Sequence, residues 1–316
     1  MKLGKFILIL AVSIFISRYV GGYRFMSLGL AAHPSFGALV SILKTSDATE
    51  SKDRSSSQLL VDIGCCVGQD IRSLVYAGVP GSRIVGVDLD PAFVQLGYSL
   101  FRDKEKLGAQ FLFGDLLTLN SSNETSSMAT DTTSSPVFSS SDLSGLIGRV
   151  SIVWAAAFLH LWDLPGQIAI CHKMLMLLQD KPGVRILGRQ VGSRDPGLVV
   201  HITNKGGLMY KHNPDSFRKM WDEVLGQTYQ GDGISLDRSR EKWNITAWFE
   251  EDLAATDQKH QEAGHKPDVD WLSKVATDSA KATSDSAENQ SPGEGKGSGG
   301  QNIDARFLVW EVERIS

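Results

Sequence analysis

The chain of 316 residues has few cysteines, little net charge and no long apolar segment. Its three cysteines, two of them adjacent, lack the spacing of metal ligands and cannot form a disulfide framework. A formal net charge of −4 argues against a surface for nucleic acid. We therefore expect no metal, no nucleic-acid partner and a reducing, cytoplasmic compartment.

The longest apolar run lies near the N-terminus, at residues 6–16, and follows Lys2 and Lys5. Eleven helical residues span roughly 17 Å, which is short of the roughly 30 Å hydrocarbon core of a bilayer. A transmembrane helix is therefore not expected. Three alternatives stay open for residues 1–22: a helix on the membrane surface giving peripheral association, a packed or disordered extension, and a secretory signal.

A glycine loop is the most informative feature that the sequence does contain. Residues 59–63 form an apolar run typical of a buried parallel strand, and residues 69–77 have helical spacing. Between them, Gly64 and Gly68 allow a sharp turn. Asp88 ends the next apolar run, about 20 residues after Gly68, where a carboxylate can accept hydrogen bonds from a ribose diol. This pattern predicts a nucleotide-binding βαβ unit.

The residues around the loop favour one nucleotide over others. A dinucleotide-binding loop carries a third glycine that this chain lacks, and Asp62 before the loop would repel a pyrophosphate. The same carboxylate suits an ammonium or a sulfonium, which favours S-adenosylmethionine (SAM). Asp115, after a third short strand at 109–113, can accept from an adenine amino group. A glycine loop alone is also compatible with an ordinary strand-to-helix turn.

Four motifs narrow the class: VDIGCCVGQDIR at 61–72, LGYSLFRD at 96–103, FLHL at 158–161 and GRQVG at 188–192. Together they resemble class I SAM-dependent methyltransferases, and in particular fungal methyltransferases of terpenoid and meroterpenoid biosynthesis. The resemblance covers about residues 23–253 and 304–313. It implies a Rossmann-like α/β fold: a seven-stranded, mostly parallel sheet closed by an antiparallel hairpin, with helices on both faces.

The loop pattern and the resemblance together select the residues that we expect to bind the cofactor, SAM. They are Asp62, Gly64, Cys65, Gly68, Asp88, Leu89, Asp115 and Leu116.

The resemblance implies O-methylation of a small hydrophobic intermediate, prenylated or polycyclic, at a carboxylate or a hydroxyl. His160, after strand four, is the candidate general base, and its alternative is a packing residue. A carboxylate acceptor is already ionised at neutral pH and requires no base. For such an acceptor, Arg189 at the end of strand five could orient the carboxylate, and its alternative is a structural ion pair.

Three other functional classes stay open: a nucleotide-dependent oxidoreductase, a catalytically silent SAM-binding protein, and a quinone or small-aromatic C-methyltransferase. The first would require the missing glycine. The others share every cofactor motif, so the sequence predicts neither the acceptor nor the oligomeric state.

Composition divides the chain further. A cap and linker occupy residues 23–57, and the core occupies 58–253 with a Ser/Thr-rich disordered insertion at 120–142. A flexible insertion at 254–303 precedes the last core strand at 304–316. Because it lies in a hairpin loop, we expect this insertion to lie away from the carboxyl ends of the strands and to be dispensable.

Overall fold

The computed structural model of the chain describes residues 28–45, 58–119, 143–200, 207–226, 238–252 and 306–316. The predictions for the N-terminal apolar segment and for the insertions at 120–142 and 254–303 lie outside these ranges. In the ranges described, no helix is both long and apolar enough to cross a membrane.

Nine strands and five α-helices lie wholly within the described ranges. The strands are β1 Leu60–Ile63, β2 Ile84–Asp88, β3 Gln110–Phe113, β4 Ile152–Ala156, β5 Arg185–Gly192, β6 Gly197–Val200, β7 Leu208–Lys211, β8 Trp243–Phe249 and β9 Arg306–Arg314. The helices are α1 Phe36–Lys44, α2 Gln69–Tyr76, α3 Pro91–Phe101, α4 Leu164–Leu177 and α5 Pro214–Gly226.

Seven strands form one sheet in the order β3-β2-β1-β4-β5-β9-β8. Strands β1 to β5 pair in parallel, and β9 pairs antiparallel with both β5 and β8. The predicted fold class is thereby confirmed. Strands β6 and β7 form a separate antiparallel hairpin that the sequence reasoning did not predict.

Apolar side chains cover both faces of the sheet. One core cluster packs α4 and α5 against β4, β5 and β9, and a second packs α1, α2 and α3 against the other face. All four residues of β1 are buried, as a strand covered on both faces requires. Helices therefore flank the sheet, and its carboxyl edge is left to the loops.

Two helices begin at aspartate caps that lie beside the carboxyl edge. The side chain of Asp90 accepts from the Ala92 amide at the start of α3, and that of Asp163 accepts from the Gly166 amide at the start of α4. A proline occupies the first turn of each helix, where no backbone donor is needed. These caps fix the points at which the chain leaves the loops after β2 and β4.

The strand ends that the β8–β9 connection joins lie at the same edge of the sheet as the glycine loop. Gly192, the last residue of β5, pairs with Arg306, the first residue of β9, and Phe249 at the end of β8 pairs with Leu308. The expectation that residues 254–303 are attached away from the carboxyl strand ends is therefore wrong. Because β9 runs antiparallel to β5, the hairpin must turn at the carboxyl edge.

Deleting residues 270–300, with a short Gly-Ser closure, is expected to change the free energy of unfolding by less than about 1 kcal/mol. The entropy of closing the β8–β9 connection varies only slowly with its length. Urea denaturation measures the effect. A variant with the same 31 residues replaced by Gly-Ser repeats separates length from sequence, and loss of folded protein in both variants would contradict the expectation.

Candidate functional site

The glycine loop turns between β1 and α2 in a conformation that depends on its glycines. The amides of Gly64 and Cys65 both donate to the carbonyl of Val87, at 2.8 and 3.1 Å. Gly64 and Gly68 each have φ near +70°, in the left-handed region. A Cβ atom at Gly64 would also lie 2.9 Å from the ring of Phe158. A side chain at position 64 would therefore displace Phe158 as well as strain the backbone.

Helix α3 approaches the back of the loop at another glycine. A Cβ atom at Gly97 would lie 2.3 Å from the carbonyl oxygen of Val67. Arg72 donates to that same oxygen at 2.5 Å and forms a bidentate ion pair with Asp103 at 2.7 and 2.8 Å. The motifs at 61–72 and 96–103 are thus in direct contact, and the second holds the first in place.

Three carboxylates surround the front of the loop: Asp62, Asp70 and Asp88. One Asp88 oxygen accepts from the Cys66 amide at 2.8 Å and the other from the Asp90 amide at 3.1 Å. Burial is the largest cause that raises the pKa of Asp88. Each of its oxygens keeps a lone pair for a further donor.

Asp62 is 4% exposed and lies in the buried strand β1. Burial, reinforced by the nearby carboxylates of Asp70 and Asp88, raises the pKa of Asp62 well above its usual range. A positively charged ligand beside these carboxylates would lower that pKa and stabilise the anion. These carboxylate acceptors therefore fit a cationic ligand with hydroxyl groups.

The other predicted cofactor residues lie nearby. The Gly114 amide donates to the Asp88 carbonyl at 3.1 Å, which brings the ends of β2 and β3 together. Asp115 accepts from the Leu117 amide at 2.9 Å, Leu116 is buried, and Leu89 is 68% exposed. All eight predicted residues thus lie at the carboxyl ends of β1, β2 and β3, and their contact with a cofactor stays a prediction.

Asp70 has a role that the sequence reasoning missed. One of its oxygens accepts from the Leu30 amide at 3.1 Å and the other from the indole Nε1 of Trp154 at 3.0 Å. Burial raises the pKa of Asp70 to about 6. The carboxylate ties the segment before α1 to α2 and β4. No local pattern predicts this, because both donors are distant in sequence.

Replacing Asp70 by alanine is expected to lower the free energy of unfolding by about 2 to 4 kcal/mol, because it leaves two buried donors without an acceptor. Asp90→Ala is the matched control. It removes one exposed helix cap and should cost about 1 kcal/mol. Urea denaturation measures both variants, and equal losses would show that the two Asp70 bonds add nothing beyond a surface cap.

The turn after β4 carries His160. Ala157 has a positive φ of 50°, and its amide donates to the Arg189 carbonyl at 2.6 Å. A short 3-10 turn follows, in which His160 is half-buried. Phe158 contacts Trp162 edge-on, with ring centroids 4.9 Å apart. The turn that carries the predicted base therefore follows the carboxyl end of β4, and its Phe158 lies against the glycine loop.

Arg189 lies on the next strand but is already engaged. Its Nη2 forms an ion pair with Glu250 at 2.7 Å, and its guanidinium lies 3.5 Å from the centroid of the Phe307 ring. Its buried Nε has no partner in the described ranges. The structural ion pair weighed as the alternative is thus present, and orientation of an acceptor stays a prediction.

The three cysteines are buried, and burial disfavours the thiolate form of each. Burial raises the pKa of Cys66 to about 12, and those of Cys65 and Cys171 well above the usual value. All three are free thiols. Within the ranges described, no group of three metal-ligating side chains occurs. Cys65 therefore lines the loop as a small apolar side chain.

Comparison with characterised sequences identifies relatives. The chain is 33% identical over 209 residues to the O-methyltransferase phiE of a fungal species, covering 66% of this chain and 60% of phiE. It is 32% identical over 231 residues to the O-methyltransferase atr3 of Stereocaulon alpinum, covering 72% and 58%. The chain is related to fungal methyltransferases. The resemblance expected from its motifs is confirmed.

A third relative, the methyltransferase adrK of Penicillium roqueforti, is 28% identical over 250 residues, covering 79% of this chain and 74% of adrK. The chain spans about three fifths of the length of phiE and atr3. No family model matches the sequence. Among solved structures, a Burkholderia thailandensis 1,6-didemethyltoxoflavin-N1-methyltransferase aligns over 100% of this chain and 92% of its own, with 11% identity and a TM-score of 0.47.

Proposed function

We propose that the protein is a SAM-dependent O-methyltransferase of fungal secondary metabolism that acts on a small hydrophobic intermediate. The observation that carries the proposal is the pair of carboxylates at the glycine loop. Asp88 is fixed by the Cys66 amide, and Asp62 is buried beside it. The names of phiE and atr3 as O-methyltransferases support an oxygen acceptor.

The cofactor assignment follows from this arrangement. SAM, when bound, supplies an electrophilic methyl group on a sulfonium. Asp88 would accept from the ribose hydroxyls, Asp115 from the adenine amino group, and Asp62 would stabilise the positive charge. Gly64 and Gly68 give the backbone turn that lets a ligand approach the loop.

The acceptor would be activated in one of two ways. A hydroxyl needs a base, for which His160 is the candidate, because the turn after β4 lies against the glycine loop. A carboxylate needs only orientation, for which Arg189 is the candidate through the part of its guanidinium that Glu250 does not bind. We favour the carboxylate, and a prenylated or polycyclic compound as its carrier.

Two measurements test the function. Calorimetric titration with SAM shows whether the cofactor binds. Incubation with methyl-labelled SAM and an extract of pathway intermediates, followed by mass spectrometry, shows whether a methyl group is transferred. The carbon-13 chemical shift of the product separates an oxygen acceptor from a carbon acceptor. Binding without transfer to any compound would favour a silent SAM-binding protein.

A further inference from the structure

Several buried polar atoms between β5 and α5 have no hydrogen-bond partner. Gln190 is fully buried, and neither its Oε1 nor its Nε2 is paired within the described parts of the chain. The same holds for Nε2 of His212 and for Nε1 of Trp221 and of Trp310. Buried polar atoms are nearly always paired with protein, water or ligand. We call these four residues the polar layer.

Strand geometry places Gln190 in the middle of this layer. Alternate residues of a strand share a face, so Gln190 points to the same side as Gly188 and Gly192. A Cβ atom at Gly188 would lie 2.2 Å from the indole of Trp310, and one at Gly192 would lie 2.5 Å from the carbonyl oxygen of His212. Along β5, position 190 therefore lies between the Trp310 indole and the His212 segment.

Aromatic rings connect the His212 segment to Trp310. The ring centroid of His212 lies 5.6 Å from that of Phe217, which lies 5.0 Å from that of Trp310. His212 Nδ1 is bonded to the Ser216 hydroxyl at 3.0 Å, so only Nε2 remains for another partner. Burial lowers the pKa of His212 to about 4, which keeps the ring neutral near pH 7. The layer thus offers uncharged polar groups among flat apolar surfaces.

A chain of contacts joins the polar layer to the glycine loop. Phe158 packs over Gly64 and contacts Trp162. The Tyr210 amide donates to the Trp162 carbonyl at 2.9 Å, and the Tyr210 ring lies 4.7 Å from that of His212. The polar layer is therefore linked to the glycine loop through the turn after β4.

Building on the proposed methyltransferase function, we propose that Gln190 and His212 form the polar end of the acceptor site. They would bind an oxygen substituent of a flat ring system, and the rings of the layer would cover its apolar body. Gln190 and Arg189 are consecutive in β5 and point to opposite faces, so Gln190 would bind a second oxygen substituent and not the carboxylate that Arg189 would orient. The Gln190 amide can both donate and accept, which suits a hydroxyl or a carbonyl. Gln190 would thus be a specificity-determining residue.

Another buried glutamine, Gln167, makes hydrogen bonds that Gln190 does not make within the described ranges. Gln167 is also fully buried, and its Oε1 is unpaired within the described ranges, but its Nε2 donates to the carbonyls of Trp162 and Tyr210, at 3.1 and 2.8 Å. It joins the β6–β7 hairpin to the turn after β4. Gln167 is therefore the matched control for Gln190.

The first test measures thermal unfolding without ligand. Methionine has nearly the shape of glutamine, so Gln190→Met should raise Tm, by at least about 2 °C, because it removes unpaired polar atoms. Gln167→Met should lower Tm, because it removes two hydrogen bonds. A lower Tm in both variants would show that Gln190 is a paired, structural residue and would overturn the proposal.

The second test uses two fluorescent probes of the same shape, 2-naphthol and 2-methylnaphthalene, titrated against the full chain with SAM present. The wild type should prefer the naphthol by about tenfold, and Gln190→Met should remove that preference while SAM affinity is unchanged. No preference in the wild type, or the same preference in the variant, would overturn the acceptor site. Absence of SAM binding to the wild type would overturn the proposed function instead.

Discussion

Replacing Asp88 by alanine is expected to weaken SAM binding about tenfold to a hundredfold, or roughly 1.4 to 2.8 kcal/mol. The variant loses the carboxylate predicted to bind the ribose diol. It also leaves the Cys66 and Asp90 amides without their acceptor, so the loop itself loses support. Isothermal titration calorimetry measures the dissociation constant.

A conservative variant separates these two causes. Asp88→Asn keeps an oxygen that can accept from one backbone amide, but it removes the negative charge and a second acceptor. We expect it to bind SAM more weakly than the wild type, with a smaller loss of thermal stability than Asp88→Ala because one of the two backbone amides keeps its acceptor. Unchanged affinity in a folded Asp88→Ala protein would remove Asp88 from the site.

The second large effect is the loss of turnover expected when His160 or Arg189 is replaced by alanine. For a carboxylate acceptor, which we favour, His160→Ala should lower turnover at most about tenfold. Arg189→Ala should lower it by about a hundredfold, because a misplaced acceptor loses the orientation needed for displacement. For a hydroxyl acceptor, the hundredfold loss should fall on His160 instead. Turnover at saturating SAM across pH 6 to 9 measures both.

Glu250 provides the control that the ion pair requires. Glu250→Gln removes the charged partner at 2.7 Å but leaves the guanidinium of Arg189 in place. If Arg189 orients the acceptor, turnover in Glu250→Gln should stay within about threefold of wild type. If Arg189 acts only through its ion pair, both variants should lose turnover alike. A hundredfold loss of turnover confined to His160→Ala would rule out a carboxylate acceptor.

Local patterns were sufficient for the parallel part of the sheet. Continuous apolar runs predicted β1, β2 and β4, because strands covered on both faces have no polar side. Glycines with a fixed spacing predicted the loop, since their backbone conformation is a local property. Where local chemistry decides the structure, the sequence is informative.

The sequence did not predict features that depend on contacts between residues far apart in the chain. The β6–β7 hairpin and the position of the β8–β9 connection follow from strand register and direction, which no short motif encodes. The bonds of Asp70 to Leu30 and Trp154 join residues that are far apart in sequence. An ion pair was expected as one alternative for Arg189, but its partner, Glu250, could not be named. Their partners become evident only once the sheet is assembled.

Because the three thiols are buried, the rate at which each is alkylated would measure local opening of the structure around it. A buried, protonated thiol reacts with an alkylating reagent only after the surrounding structure opens and the thiolate can form. Cys65 and Cys66 would report opening at the glycine loop, and Cys171 opening at α4. A single alkylation time course, read by peptide mass, would therefore compare two local opening rates, and a ligand at the loop should slow only the first pair.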